Sequence, residues 1–158
     1  MMFFKRGSQK FFNMTIIGRR DYIDLPEFDL ANIQAKIDTG AYGCSLHCHE
    51  IAIEFIKGKE TLKFKLLDPQ HPEYEDKYIY TTEFNDKIVK NSSGQAEHRY
   101  TMQTSIILFR NTYEVEFSLA DRNQMRYPIL LGRKFLRNRF IVDVALKNLS
   151  RKSKRKII

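Results

Sequence analysis

Residues 35–41 read Ala-Lys-Ile-Asp-Thr-Gly-Ala, and this short stretch of the 158-residue chain decides the fold. The β-branched Ile37 leads into Asp38, and Thr39-Gly40 follows at once. β-Branched residues favour strands, whereas glycine accepts backbone conformations of tight turns that other residues avoid. The pattern therefore predicts a strand that ends at Asp38 and presents one carboxylate on a turn that only Gly40 tolerates easily.

A second stretch, far downstream, is an apolar run that closes on glycine. It reads Pro128-Ile129-Leu130-Leu131-Gly132-Arg133. A short apolar run between proline and glycine is typical of a buried strand. One short helix is predicted after Gly132, over residues 133–137.

The rest of the chain is patterned mainly as strands. Apolar and polar residues alternate over 51–56, 62–66 and 113–119, and residues 78–82 and 106–109 are further β-rich runs. Alternation with period two indicates half-buried strands. Gly, Pro, Asn and Asp separate these runs at short intervals. We therefore predict an all-β, single-domain barrel or sandwich whose body spans residues 15–145.

The composition excludes several classes of protein. A hydrophobic content of 42% does not fit a disordered chain, and no apolar run approaches the ~20 residues of a membrane span. Residues 1–6 lack the apolar core and cleavage site of a signal peptide. Two cysteines, Cys44 and Cys48, are too few for a disulfide framework. The sequence predicts a cytoplasmic protein without membrane association.

The formal net charge of +8 belongs to the two ends of the chain. Nine of the 27 Lys and Arg residues lie in an N-terminal arm, 1–14, and a basic C-terminal tail, 146–158, neither of which contains an acidic residue. The other 18 Lys and Arg residues lie in the body of the chain together with all 19 acidic residues, so the charges of the body nearly cancel. Such a tail can bind phosphate or anionic lipid, but we interpret it as a solvated, disordered terminus. The body has no basic stripe with stacking aromatics, so nucleic acid is expected to bind weakly, through the tail, if at all.

A single aspartate presented at a strand end points to acid–base chemistry. Aspartic peptidases hydrolyse amides with two carboxylates about 3 Å apart that share one proton, so that one acts as base and the other as acid. The chain has one Asp-Thr-Gly, and the simplest way to pair it is a homodimer in which two copies of Asp38 meet on the twofold axis. Asp38, Thr39 and Gly40 are the predicted catalytic residues. The segment 87–100, with Ser92-Ser93-Gly94 at its tip, is the predicted flap over the cleft.

Three blocks of the sequence resemble those of one family, in the same order. They are Lys36-Ile37-Asp38-Thr39-Gly40-Ala41 with Leu46-His47, then Val89-Lys90 with Ser93-Gly94 and Glu97–Tyr100, then Asp121-Arg122 with Met125–Arg133 and Phe140–Asp143. The family is named ATP-dependent zinc peptidases, is also called RimB-like or RimK-associated, and is regarded as retropepsin-like. The resemblance covers residues 15–145.

The resemblance implies a retropepsin-like closed β-barrel with one short C-terminal helix, in which a hydrophobic-hydrophobic-Gly strand braces the Asp-Thr-Gly loop. It implies an aspartic peptidase that trims glutamate-type tails added by associated ATP-grasp ligases. The words ATP-dependent and zinc have no counterpart in this sequence, which contains neither a Gly-x-x-x-x-Gly-Lys-Ser/Thr loop nor a His-Glu-x-x-His helix. No cofactor or metal is therefore expected.

Six residues of the matching blocks are candidates for binding a peptide or glutamate-tailed substrate. They are Lys36, Ala41, Ser45, Arg99, Arg126 and Arg133. Arginine can grip a carboxylate through two parallel hydrogen bonds. Ser45 is included because Cys44 stands where the family has a serine. Lys36 shares a strand face with Asp38, so it can bind an anionic substrate or form a structural ion pair. A lysine there favours the ionised carboxylate, which is a poor setting for two acids that share a proton.

Two other kinds of site deserve comparison. Cys44, His47, Cys48 and His49 form a cluster, but a strand would point the cysteines one way and the histidines the other, away from a common zinc ion. The two histidines could still hold a metal with a third ligand elsewhere. A cysteine nucleophile has no base in the sequence to activate it. We therefore expect packed cysteines beside surface or hydrogen-bonded histidines.

A non-catalytic role is the alternative function. In it, the same fold acts as a binding module, Asp38 is neutralised by an ion pair with Lys36, and the cationic tail binds a polyanion.

Overall fold

The computed structural model describes residues 13–91, 93–121 and 126–155. Within them the chain forms eleven strands, two α-helices and one 3₁₀ turn (Pro26–Phe28). The strands are β1 (Thr15–Ile17), β2 (Arg20–Leu25), β3 (Leu30–Ile37), β4 (Cys44–Ile56), β5 (Lys59–Leu66), β6 (Ile79–Thr81), β7 (Asn85–Lys90), β8 (Ala96–Leu108), β9 (Asn111–Ala120), β10 (Ile129–Leu131) and β11 (Phe140–Val142). The helices are α1 (Arg133–Leu136) and α2 (Leu149–Arg155). Among the described residues, neither helix has the length and apolar character needed to cross a bilayer.

Six strands close into a ring, which confirms the predicted β-barrel. The order is β10-β3-β2-β8-β9-β4, and β10 closes it by pairing with both β3 and β4. The β10–β3 and β4–β9 pairs are parallel, and the other contacts in the ring are antiparallel. Strands β5 and β6 extend the sheet from β4, and β7 pairs with β8 outside the ring. The short β1 and β11 form a separate parallel pair.

Over 62–66 and 113–119 the alternation read from the sequence is the alternation between core and surface, whereas residues 51–56 are half-buried or exposed without alternating. In β9, Val115, Phe117 and Leu119 are buried, whereas Glu114 is exposed and Glu116 is half-buried. The interior is one continuous apolar cluster to which nearly every strand contributes side chains. A single core of this kind fits the predicted single domain.

The structure also contains the predicted helix, and it has a hairpin where the flap is predicted. Helix α1 follows Gly132 directly. Strands β7 and β8 form an antiparallel hairpin over the segment predicted as the flap, with Lys87 opposite Arg99. Ile88 on this hairpin is 76% exposed, and Ser92 at the tip lies outside the described residues. The covering role of the hairpin stays a prediction.

The C-terminal segment is folded, which corrects the predicted solvated tail and adds a second helix to the one expected. Residues 149–155 form α2, and Ser150 in it is only 1% exposed. The Ser150 hydroxyl accepts a hydrogen bond from the Phe109 N–H at 2.8 Å, and Lys154 Nζ lies 2.6 Å from the Asp24 carboxylate. Residues 1–12 of the predicted arm and 156–158 of the tail lie outside the described residues. The domain boundary at residue 145 stays a prediction.

The chain reaches α2 by running alongside residues 17–20. Backbone hydrogen bonds of 2.9 Å join Asp143 N to Ile17 O, Arg19 N to Leu146 O, and Asn148 N to Arg20 O. A Cβ placed on Gly18 would lie 2.3 Å from the Leu146 carbonyl oxygen. The close approach of the two segments therefore requires glycine at this position.

Asp21 anchors the start of α2 from the opposite end of the sequence. Its carboxylate is fully buried and accepts hydrogen bonds from Ser150 N at 2.8 Å, Arg151 N at 3.3 Å and Tyr22 N at 2.8 Å. The first amides of a helix have no partner within the helix, and an anion there also faces the positive end of the helix dipole. Burial raises the pKa of Asp21, and the amide hydrogen bonds oppose that rise. Asp21 thus performs the N-capping role for α2.

Replacing this cap should destabilise the whole protein. We expect Asp21→Ala to lower the free energy of unfolding by about 2–4 kcal/mol, because buried amides lose a charged acceptor. Urea unfolding followed by circular dichroism measures the change. Glu83→Ala, at an exposed position, is the control and should stay within about 0.5 kcal/mol of the parent. Equal stability of the two variants would show that α2 does not depend on Asp21.

Candidate active site at the end of strand β3

Asp38 follows β3 directly and is held by backbone hydrogen bonds on both sides. Its N–H donates to the Leu131 carbonyl at 2.9 Å, and its Oδ1 accepts from the Gly40 N–H at 3.0 Å. The Asp38 side chain keeps 24% of its surface exposed. The carboxylate is therefore fixed in direction and open to solvent, as the strand-to-turn pattern predicts.

Gly40 is needed for space and not for an unusual backbone angle, which corrects the reason given from the sequence. Its φ lies outside the left-handed range, where Gly58 and Gly94 are found. A Cβ on Gly40 would lie 3.3 Å from Asp38 Oδ1. The missing side chain therefore lets the Gly40 N–H and the Asp38 carboxylate approach each other.

Strand β10 braces the Asp38 loop from the side. It runs parallel to β3, with Leu130 opposite Lys36 and Leu131 opposite Ile37. It ends at Gly132, where a Cβ would lie 2.2, 2.8 and 2.9 Å from the carbonyl oxygens of Gly43, Tyr42 and Ala41. Real Cβ atoms do not approach backbone this closely. Only glycine at position 132 allows the loop after Asp38 to lie against the end of β10.

Helix α1 holds the same loop through its first amides. The N–H groups of Arg133 and Lys134 donate to the carbonyls of Ala41 and Tyr42 at 2.9 and 2.8 Å. The Arg133 side chain donates from Nη1 to the Thr39 carbonyl at 3.0 Å, and its guanidinium lies 5.9 Å from the Tyr42 ring centroid. The predicted substrate cation Arg133 thus also positions the loop. Thr39 itself is exposed.

Lys36 lies beside the carboxylate, as its spacing from Asp38 predicts. Its Nζ is 3.9 Å from Asp38 Oδ2, and 48% of its side chain is exposed. At this exposure an ion pair contributes little to stability. The ammonium group nevertheless adds positive charge where an anionic substrate would meet the site.

The other predicted substrate contacts lie in different surroundings. Arg126 is exposed, with its guanidinium 5.6 Å from the Tyr127 ring centroid. Arg99 lies on the β7–β8 hairpin, where its Nη2 is 3.0 Å from Glu97 Oε2. Ala41 is half-buried in the loop. Ser45 is only 6% exposed, in the barrel wall between β9 and β10. The role of Ser45 in substrate binding stays a prediction.

The histidines and cysteines are packed side by side along β4. Of the residues that the structure describes, no group of three or more His, Cys, Asp or Glu is arranged to hold a metal ion. The His47 and His49 rings stack 6.4 Å apart, and His49 also lies 5.7 Å from Tyr74. His47 is 3% exposed, and this burial lowers its pKa despite the Asp121 carboxylate at 3.8 Å. His47 is a core histidine beside Asp121, so of the two alternatives expected from the sequence it does not fit the surface one.

Both cysteines are free and buried, as predicted. The Cys44 Sγ accepts a hydrogen bond from the Gly132 N–H at 3.4 Å, so the thiol takes part in bracing the loop. Burial raises the pKa of Cys44 to about 11 and that of Cys48 well above its usual range. Protonated thiols are weak nucleophiles, which agrees with rejecting a cysteine mechanism.

Sequence reasoning missed three residues around the site. Arg20 lies opposite Lys36 in the β2–β3 pairing. Tyr42 packs against Arg133, and Tyr127 against Arg126. Tyr127 lies within a block that matched the family, which could have drawn attention to it. Nothing in the local sequence of Arg20 shows that it neighbours Lys36, because strand register decides that.

Comparisons with known proteins agree with this geometry. The model of the RimB-like family, described as retropepsin-like aspartic endopeptidase RimB, matches residues 16–153. Two relatives are named probable alpha-L-glutamate ligase: one from Desulfotalea psychrophila is 31% identical over 135 residues, and one from Shewanella pealeana is 33% identical over 135 residues. Each match covers 83% of this chain but only 28% or 29% of the relative. The chain thus spans less than a third of the length of these curated relatives.

A solved structure has the same fold. It is the crystal structure of Lpg0085, a protein of unknown function from Legionella pneumophila, with a TM-score of 0.68 and 27% identity. The match covers 86% of this chain and 98% of that chain. The barrel described above therefore accounts for nearly all of that protein.

Replacing Gly132 with alanine tests the close contact between β10 and the loop after Asp38, and Gly43→Ala is the matched control. We expect Gly132→Ala to lower the free energy of unfolding by about 3 kcal/mol, because the added methyl group meets three carbonyl oxygens. Gly43→Ala, in the same loop, meets nothing within 4 Å and should change stability by less than about 1 kcal/mol. Thermal unfolding of both variants measures the difference. A Gly132→Ala protein as stable as Gly43→Ala would contradict the bracing described here.

Proposed function

The chain belongs to the RimB-like family of retropepsin-like aspartic endopeptidases, and from that premise we propose that it hydrolyses amide bonds with water activated by Asp38. The observation that carries the proposal is that the Asp38 carboxylate is held in one direction and is also exposed. It is fixed by the Gly40 and Leu131 backbone, braced through Gly132, and still open to solvent. A general base must be held in direction while it remains accessible to water.

The second carboxylate of the proposed reaction comes from a second copy of the chain. One Asp38 takes a proton from water while the water oxygen attacks the carbonyl carbon, and the other donates its proton to the carbonyl oxygen. The tetrahedral intermediate then breaks the C–N bond as a proton passes to the leaving nitrogen. Thr39 and Gly40 build the loop that presents each carboxylate.

Lys36 gives this proposal a particular electrostatic character. Its ammonium group lies 3.9 Å from Asp38 Oδ2. This positive charge stabilises the negative charge that builds up on the tetrahedral oxygen during attack. Lys36 is therefore assigned to the reacting centre as well as to substrate binding.

Glutamate-rich tails are the proposed substrate class. The support is the similarity to proteins named probable alpha-L-glutamate ligase, which matches less than a third of each of them, and the cations beside Asp38. Lys36, Arg126 and Arg133 are proposed to bind the glutamate carboxylates, with Ala41 lining the loop and Arg99 approaching from the hairpin. A functional link with a glutamate ligase follows from the same similarity.

A binding module without catalysis is the second candidate, and the contact between Lys36 and Asp38 favours it. If that ion pair is the whole role of the carboxylate, the barrel would bind its ligand without cleaving it. Asp38→Asn separates the two functions, because the amide keeps the shape of the side chain and loses the base.

We expect Asp38→Asn to reduce hydrolysis of an α-linked glutamate tail on a carrier peptide by about 10³-fold, with binding retained. Release of glutamate-containing products, followed by mass spectrometry, measures the rate. Asp29→Asn is the matched control, since Asp29 is exposed and its φ of 53° suits asparagine equally well. Its rate should equal that of the parent. Hydrolysis that survives in Asp38→Asn would sink the peptidase proposal.

Because the proposed active site takes one Asp38 from each of two copies of the chain, activity should depend on dimerisation. Activity per subunit should fall as the protein is diluted below the dimer dissociation constant. Adding inactive Asp38→Asn protein in excess should suppress the parent enzyme, because mixed dimers contain one functional carboxylate. Activity measured over a dilution series, beside analytical ultracentrifugation, tests both points. A fully active monomer would rule out the paired mechanism.

A further inference from the structure

Arg20 lies on the same outer face of the barrel as the reacting carboxylate. It stands directly opposite Lys36 in the antiparallel β2–β3 pairing, and residues opposite each other point their side chains to the same face. Lys36 in turn reaches to 3.9 Å from Asp38. Two residues of strand cover about 7 Å and neighbouring strands lie about 5 Å apart. Arg20 is therefore roughly two residues of an extended substrate away from the position of attack.

The guanidinium of Arg20 lies beside a tyrosine. Its interaction with the Tyr127 hydroxyl is the main reason that the pKa of Tyr127 is lowered. The Arg126 guanidinium lies 5.6 Å from the centroid of the Tyr127 ring. Tyr127 thus interacts with two arginines from distant parts of the chain.

These cations lack a matching anion. Of the residues that the structure describes, no carboxylate forms an ion pair with Arg20 or Arg126, and the segments outside the described residues contain no acidic side chain. The Nε of Arg20 is buried and has no hydrogen-bond partner among the described residues. Arg20 and Lys36 therefore share one face of the β2–β3 pair, where the other acid of β2, Asp24, is already paired with Lys154. Positive charges gathered in this way, with a buried donor unsatisfied, favour binding of an anion.

We propose that Arg20 is a specificity-determining residue that binds a substrate carboxylate beside the reacting centre, with Tyr127 holding its guanidinium in place and Arg126 adding charge. The inference rests on the proposed function, because it places this carboxylate in the chain that Asp38 cleaves. In an extended peptide, side chains on one face recur about every 7 Å. A glutamate tail bound across β3 would therefore present a carboxylate to Arg20 when another residue is at Asp38. Arginine and a carboxylate can pair through two hydrogen bonds.

Binding is tested in the Asp38→Asn background, so that no cleavage occurs. The probes are fluorescein-labelled α-linked pentaglutamate and pentaglutamine, measured by fluorescence anisotropy. We expect Arg20→Gln to weaken pentaglutamate binding at least tenfold and to leave pentaglutamine binding unchanged. Arg20→Lys, which keeps the charge, should recover part of the loss. Tyr127→Phe should lose less than Arg20→Gln, because it removes only the acceptor that orients the guanidinium.

Lys59→Gln is the control for a general loss of positive charge. Lys59 is exposed at the start of β5, a strand outside the barrel ring, so this variant should bind pentaglutamate within twofold of the parent. Near-ultraviolet circular dichroism confirms that each variant is folded. An unchanged pentaglutamate affinity in folded Arg20→Gln would overturn the subsite, as would equal losses for pentaglutamate and pentaglutamine.

With Asp38 intact, the ratio of kcat/KM for a glutamate-tailed peptide to that for its glutamine counterpart should fall at least tenfold in Arg20→Gln. The outcomes separate the two proposals. If the parent cleaves neither peptide but Arg20 is needed for pentaglutamate binding, the peptidase proposal fails and the subsite stands. If cleavage needs Asp38 but the preference is unchanged in Arg20→Gln, the subsite fails and the peptidase proposal stands.

Discussion

One steric fact governs the site: Gly132 has no side chain where three carbonyl oxygens lie within 3 Å of a Cβ position. Because that space is empty, the loop after Asp38 can lie against the end of β10. The first amides of α1 and the Cys44 thiol then take up hydrogen bonds around the same point. Asp38 lies at this contact because its own N–H is bonded to the last residue of β10, and the Gly40 N–H then orients its carboxylate.

Ring closure by β10 decides which side chains surround that carboxylate. The strand is three residues long, yet it pairs with β3 on one side and β4 on the other. It fixes Lys36 opposite Leu130, and the β2–β3 pairing fixes Arg20 opposite Lys36. A slip of one residue would turn these side chains toward the core. The cationic face beside Asp38 therefore exists only because the register is correct at both strands.

The basic C-terminus is part of this arrangement. Two of its basic side chains contact the barrel. Lys154 forms an ion pair with Asp24, and the Arg151 guanidinium lies 4.2 Å from the Tyr22 ring centroid. The buried carboxylate of Asp21 receives the first amides of α2. All three partners lie on β2, the strand that carries Arg20. Docking of α2 thus stabilises the strand that supplies the proposed carboxylate subsite.

Local sequence determined the parts of this protein that depend on neighbouring residues. A β-branched residue before Asp-Thr-Gly placed the carboxylate at a strand end, alternation identified the strands, and the run into Gly132 marked the brace and the helix that follows. Only the tertiary structure decided that Ser45 is walled into the barrel, that Arg133 supports the loop, that Asp21 caps a helix at the other end of the chain, and that Arg20 stands next to Lys36. These facts depend on strand register and close packing between segments distant in sequence, and no local pattern carries that information.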